Sequence, residues 1–199
     1  MMIRNYCIGL IGALTIATVS AVEPGDEAPA FTLTSTSGEE VSLSDYEGKL
    51  VVLEWLNYEC PFVKKHYGSG NMPALQEKYT GKDVIWFSIN SSAEGKQGYL
   101  PPEKLGERSE KEGNKATAVL LDSSGSVGKS YGAKTTPHMF VIGKDGKVAY
   151  AGAIDDKKDT KVSSLDEATN YVAEALDALM EGKEVETKKA APYGCGVKY

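Results

Sequence analysis

The residues best suited to chemistry are two cysteines, a glutamate within an apolar run, and a threonine–proline step. Cys60 follows the stretch Val51-Val52-Leu53-Glu54-Trp55-Leu56-Asn57-Tyr58-Glu59 and is itself followed by Pro61. The apolar run is short and rich in β-branched and aromatic residues, which predicts a buried strand. Pro61 predicts the first residue of a helix, where a missing N–H costs nothing. Cys60 then falls at a strand-to-helix junction, with its sulfur facing unpaired N–H groups and the positive end of the helix. That setting lowers a thiol pKa and makes a nucleophile. The same residue also reads as a buried structural cysteine. Lys64, one helical turn on, either adds positive charge near the sulfur or is an ordinary solvated lysine.

Glu54 lies six residues before Cys60. On a buried strand its pKa is raised, which suits a general base. Otherwise it points outward or pairs with a lysine. Thr136-Pro137 precedes the apolar run Met139-Phe140-Val141-Ile142. A cis-proline there exposes backbone groups that pair with a substrate strand, and a plain turn is the other reading. His66 and His138 are the only histidines. Cys60 with His138 gives an alternative copper or zinc site, although two soft ligands do not close one. Hydrogen-bonded or solvent-facing histidines account for both without a metal.

The chain has 199 residues and a net charge of −6, with 22 Lys and Arg against 28 Asp and Glu. A nucleic-acid binder usually carries a basic face, so this balance argues against one. Arg4, the apolar segment from Ile8 to Val19, and the small residues Val19-Ser20-Ala21 read as a secretory signal cleaved after Ala21. The apolar segment is too short to span a bilayer comfortably, so no stable membrane anchor is expected. The expected location is exported, periplasmic or secreted. Residues 22–183 then form the domain, and 184–199 a C-terminal tail carrying Cys195. An oxidising compartment favours pairing Cys195 with Cys60, one thiol attacking and one resolving. A free thiol or an intermolecular bridge remains open for Cys195. Gly194 and Gly196 predict a mobile backbone around it.

The elements follow from periodicity and punctuation. Two short strands flank Ser37-Gly38-Glu39, and a strand runs from Val84 to Asn90. Helical segments cover Pro61 to Tyr67 and Met72 to Tyr79, separated by Gly68-Ser69-Gly70-Asn71. Strand, helix, strand makes a βαβ unit with parallel strands. A charged helix from Pro101 to Gly113, a strand from Thr117 to Leu121 and a brief helix from Val127 to Tyr131 follow. Asp145-Gly146 between two apolar runs predicts a hairpin. Ser164-Leu165-Asp166-Glu167 fits a capping box opening a last helix that Gly182 ends.

This order resembles the thioredoxin fold in its peroxiredoxin branch, over about Pro24 to Gly182. Gly25-Asp26-Glu27-Ala28-Pro29-Ala30-Phe31-Thr32-Leu33 looks like the entry strand, and Gly48-Lys49-Leu50-Val51-Val52-Leu53 like the strand leading to the active site. Cys60-Pro61 looks like the attacking cysteine with its proline, and Thr135-Thr136-Pro137 like the cis-proline loop that faces it. Gly194-Cys195-Gly196-Val197-Lys198-Tyr199 is similar to the ending of a peroxiredoxin-like subgroup. The resemblance implies a central mixed β-sheet flanked by helices. It further implies a peroxide or protein disulfide as substrate, a reducing thioredoxin-like partner, and no organic cofactor. In thioredoxin a buried acid holds the offset of Glu54. Val63 replaces the second cysteine of a Cys-x-x-Cys pair. Asn57 stands where peroxiredoxins have a peroxide-orienting threonine, and Pro137 where they have an arginine. The only arginine after the signal-like segment is Arg108.

Overall fold

The computed structural model describes residues 21–199, so the signal-like segment before Ala21 lies outside the described residues. The chain opens with a hairpin, β1 (Thr32–Ser35) and β2 (Glu40–Ser42), followed by one 3-10 turn. Strand β3 (Val51–Trp55) leads into helices α1 (Pro61–Gly68) and α2 (Asn71–Thr80), then β4 (Ile85–Asn90). Helix α3 (Pro102–Lys111), β5 (Ala118–Leu121) and α4 (Ser126–Tyr131) follow. The two-residue β6 (Thr135–Thr136) precedes the hairpin of β7 (His138–Ile142) and β8 (Val148–Gly152). Helix α5 (Tyr171–Met180) and the two-residue β9 (Cys195–Gly196) complete the chain.

Seven strands form one mixed sheet in the order β2-β1-β5-β4-β3-β7-β8. Strands β3, β4 and β5 run parallel, and β7 pairs antiparallel with β3. Every residue of β3 is buried, as a central strand covered on both faces requires. Side chains alternate across it. Val52 and Leu56 join the core beneath α1, α2 and α5, while Val51, Leu53 and Trp55 join Phe87, Phe140 and Tyr131 on the other face. Glu54 therefore enters the first of these cores, beneath α1 and α2.

One expected element is displaced. Ser164 does not cap the last helix. Its hydroxyl bonds Asp159 Oδ1 and the Lys161 carbonyl, and Val162–Glu167 is a 3-10 helix. The α-helix begins after Asn170, whose Oδ1 accepts from Ala173 N–H at 2.9 Å. Asparagine is among the strongest N-caps, and this one is also pinned by a bridge to Asp155.

The last residues do not hang free. Ala151 N–H bonds the Lys188 carbonyl and Ala190 N–H bonds the Ala151 carbonyl, so the segment runs beside the exposed edge of β8. Strand β9 then pairs antiparallel with β6, Thr136 opposite Cys195 and Thr135 opposite Gly196. Beyond it, Ala93 N–H bonds the Lys198 carbonyl, and the Tyr199 hydroxyl donates to the Ala133 carbonyl at 2.8 Å. The mobile tail expected around Cys195 is instead a strap fastened on both sides of it. No described helix is long and apolar enough to cross a membrane.

Candidate active site

Pro61 explains the position of Cys60. A residue before proline is pushed out of the helical region, so the helix cannot include it. Cys60 has φ −70° and ψ 126° and is the N-cap of α1, with Pro61 in the first turn. Its sulfur makes no strict capping hydrogen bond, yet the Val63 N–H lies close enough to favour the thiolate. The residue is 1% exposed. As a thiol it donates to the Thr136 carbonyl, with Sγ and O 3.0 Å apart. Thr136 is joined to Pro137 by a cis peptide bond.

Burial pushes the Cys60 pKa up, but the groups around the sulfur outweigh it and the net shift is downward. These groups are the Cys195 thiol, the Val63 N–H, the Thr136 hydroxyl and the Cys195 N–H. The Thr136 hydroxyl is buried and otherwise without a hydrogen-bond partner among the described residues. Cys195 moves the other way, to about 11, through burial, its hydrogen bond to Cys60 and the negative charge there. The first proton therefore leaves Cys60, while Cys195 keeps its own and donates it to the new thiolate. Cys60 and Cys195 are both free thiols among the described residues.

Gly194 makes this approach possible. It has φ +135°, and a Cβ there would stand 2.1 Å from the Thr136 carbonyl oxygen. That oxygen is the acceptor for Cys60, so the strap meets the site through a bare backbone. Gly194→Ala is expected to lift β9 from β6 and slow closure of a Cys60–Cys195 disulfide by about 10²-fold. Stopped-flow oxidation of the reduced protein checks this, and a wild-type rate would exclude it.

Glu54 is completely buried and neither faces solvent nor meets a lysine. It accepts from Tyr67 and, on its other oxygen, from Gln76 and Trp86, each at 2.9 Å, and from Ser88 at 3.1 Å. Burial raises its pKa, and these four hydrogen bonds only partly offset the rise. Asn114 extends the network to Tyr58, Tyr67 and Ser88, each 3.0 Å from its Nδ2. Cys60 is not among Glu54's hydrogen-bond partners. The connection runs through Tyr67 of α1 and through Tyr58, two residues before the cysteine.

Asn57 does not present its amide to the sulfur. Oδ1 accepts from Glu59 N–H at 2.9 Å and Nδ2 donates to the Gln97 carbonyl at 3.2 Å. Its backbone carbonyl accepts from Cys60 N–H. Asn57 thus shapes the turn that delivers Cys60. Lys64 is exposed. Arg108, on α3, reaches the loop instead. Its guanidinium lies over the Tyr58 ring at 5.6 Å and contacts the Tyr58 carbonyl at 3.4 Å.

His138, the second residue of the metal alternative, lies on β7. It alternates with Met139 on β7 and stacks on Phe140, 4.6 Å between ring centres, on the face opposite α1. Its Nδ1 accepts from Lys134 N–H at 3.1 Å, and burial pulls its pKa down to about 3. No group of three or more potential ligands gathers among the described residues.

Sequence reasoning missed a second buried cluster. Tyr193 of the strap inserts between α1 and the loop after β8, against Phe62, Lys65, His66 and Asp155. Its only sequence signal was proximity to Gly194-Cys195, since its partners come from distant segments.

A mixed sheet, an N-cap cysteine and an apposed cis-proline loop together define a thioredoxin-fold protein, here with a second thiol supplied by the strap. The family model Redoxin matches residues 23–169, and the chain belongs to that family. It is 29% identical over 129 residues to "Thiol-disulfide oxidoreductase ResA" of Bacillus thuringiensis subsp. konkukian, covering 64% of this chain and 68% of that protein. An uncharacterized conserved protein from Geobacillus kaustophilus has a similar crystal structure, with TM-score 0.76, 30% identity, and coverage of 88% and 92% of the two chains. A hypothetical protein from Sinorhizobium meliloti 1021 gives TM-score 0.74 and 25% identity, covering 90% of this chain and 96% of that one.

Proposed function

We propose that this protein is an exported thiol–disulfide oxidoreductase in which Cys60 attacks and Cys195 resolves. The observation that carries it is the pairing of Cys195 with Thr136, whose carbonyl accepts from the Cys60 thiol, so that one residue meets both cysteines. The relatives named thiol-disulfide oxidoreductase support the same chemistry. Against a protein disulfide, the Cys60 thiolate forms an S–S bond to one substrate sulfur and expels the other as thiolate. Cys195, once deprotonated, attacks Cys60, closes the Cys60–Cys195 disulfide and releases the second substrate thiol. A dithiol partner of thioredoxin type returns both cysteines to thiols and leaves oxidised.

The pKa asymmetry orders these steps. Two of the three causes that raise Cys195 are its hydrogen bond to Cys60 and the Cys60 charge. Both disappear once Cys60 becomes covalently bound, so Cys195 deprotonates more readily when it is needed. The cis-proline edge at Thr136 and Pro137 is the proposed binding place for the substrate strand, which takes the place of β9 there and is displaced when Cys195 returns to attack.

A peroxide is the second substrate reading, favoured by the near-complete covering of Cys60, which leaves least room for large substrates. The thiolate would then take one peroxide oxygen as sulfenic acid and release an alcohol or water. Attack by Cys195 would form the disulfide and release water. Cys195→Ser separates these readings. Incubated with an oxidised cysteine peptide it should accumulate a mixed disulfide on Cys60, whereas hydrogen peroxide should yield Cys60 sulfenic acid. Peptide mapping that finds Cys60 unmodified with both oxidants rejects the function.

A further inference from the structure

The strap is tied to α1 by a chain of buried polar groups that the proposed chemistry leaves unused. Tyr193 is 8% exposed, and its hydroxyl donates to Asp155 Oδ1. His66 Nε2 lies 3.2 Å from the same hydroxyl, and Asn71 Nδ2 lies 2.9 Å from His66 Nδ1. With Asn71 donating to Nδ1, the ring proton sits on Nε2 and points to Tyr193. The hydrogen bonds then run in one direction, Asn71 to His66 to Tyr193 to Asp155. Burial keeps His66 neutral, with its pKa pulled down to about 3. Asp155 Oδ1 also accepts from Lys157 N–H, while its buried Oδ2 has no partner among the described residues and stands 3.9 Å from His66 Nε2.

The Tyr193 ring is gripped as well. Phe62 packs against it at 5.6 Å between ring centres. The buried Lys65 ammonium lies 6.0 Å from the ring centre and is fixed by the Lys157 carbonyl at 2.8 Å. Tyr193 stands two residues before Cys195, while Phe62, Lys65 and His66 belong to the helix that Cys60 caps. The helix carrying one thiol thus holds the strap carrying the other.

We infer that Tyr193, held by Asp155 and His66, is a positioning residue that sets Cys195 in register with Thr136 and so controls closure of the Cys60–Cys195 disulfide. This rests on the two-thiol function proposed above. The Tyr193 hydroxyl bonds His66 and Asp155 and neither sulfur. Its effect passes through Gly194, whose backbone lies against Thr136. A loosened Tyr193 lets β9 leave β6 and withdraws Cys195, while Cys60 and its helix stay in place.

The test uses Tyr193→Phe, which keeps the ring against Phe62 and removes only the hydroxyl. Equilibration with glutathione buffers should show the Cys60–Cys195 disulfide about tenfold less favoured than in wild type, a rise in potential of about 30 mV. Asp155→Ala should give a similar loss, and the double variant no further loss, because both break one linkage. Asp155→Asn retains an acceptor for Tyr193 and should recover most of the effect. A purely structural role would lower the urea midpoint and leave the disulfide equilibrium unchanged, because that equilibrium compares two folded states.

A second measurement does not depend on the disulfide. In reduced protein, hydrogen exchange of the backbone amides from Cys195 to Val197 should quicken in Tyr193→Phe. Unchanged exchange together with an unchanged equilibrium overturns the inference. If wild type forms no Cys60–Cys195 disulfide at all, the two-thiol function fails, and exchange alone then decides whether Tyr193 holds the strap.

Discussion

Cys60→Ser is expected to lose thiol turnover by on the order of 10³-fold or more while folding at least as stably as wild type. The two effects have opposite signs because the position suits serine structurally and cysteine chemically. Cys60 is the N-cap of α1, where serine ranks among the best residues and cysteine does not. A serine hydroxyl retains a donor for the Thr136 carbonyl, so no buried acceptor is orphaned. The unfolding free energy should equal the wild-type value or exceed it by up to about 1 kcal/mol. An alkoxide is not accessible where a thiolate is, and oxygen cannot form the disulfide. The measurement pairs a urea melt with a turnover assay using a disulfide substrate. Turnover near the wild-type rate would move the chemistry away from Cys60.

Glu54→Ala is expected to cost about 3–5 kcal/mol of unfolding free energy, read from urea denaturation. The carboxylate is the common acceptor of Tyr67, Gln76, Trp86 and Ser88, all inside the core. Removing it strands several buried donors and opens a cavity. Glu54→Gln keeps the volume and mimics the protonated acid, so its cost should be much smaller. The pH dependence separates the two variants further. Burial raises the Glu54 pKa in the folded protein, so the folded state holds the proton more tightly than the unfolded chain. The stabilisation from that difference is complete below the usual carboxylate pKa and is lost as pH rises through the folded value. Wild type should therefore lose stability as pH rises above the usual carboxylate range, and Glu54→Gln should flatten part of that slope. Asp155, also raised by burial, contributes a share with the same sign that remains in Glu54→Gln. A Glu54→Gln curve parallel to wild type would exclude a raised Glu54.

The centre of the site was legible in the sequence because its determinants are local. Pro61 dictates where α1 begins, and therefore where Cys60 sits, from a single neighbouring residue. The hairpin at Asp145-Gly146 and the βαβ unit from Val51 to Asn90 follow from turn chemistry and short-range periodicity, and the observed strands agree. The start of α5 was misplaced because Ser164 and Asn170 carry equivalent capping chemistry. The choice between them was made by Asp155, fifteen residues before Asn170 and paired with it across the loop. The partners of Glu54 and Tyr193 were invisible for a similar reason. Gln76, Trp86, Ser88 and Asp155 meet them only after the sheet has formed, and nothing local distinguishes these residues from ordinary polar ones.

The two-residue ladder between β6 and β9 has a consequence for any outside polypeptide. The backbone edge at Thr135 and Thr136 is already occupied by a segment of the same chain. A visiting strand must compete with an occupant whose local concentration cannot be diluted, as for any tethered ligand. Its apparent affinity is its intrinsic affinity divided by the closed-to-open ratio of the strap. A strap open one time in about a hundred weakens every visitor about a hundredfold. The protein thus selects visitors that bind this edge tightly or that find the strap already undocked.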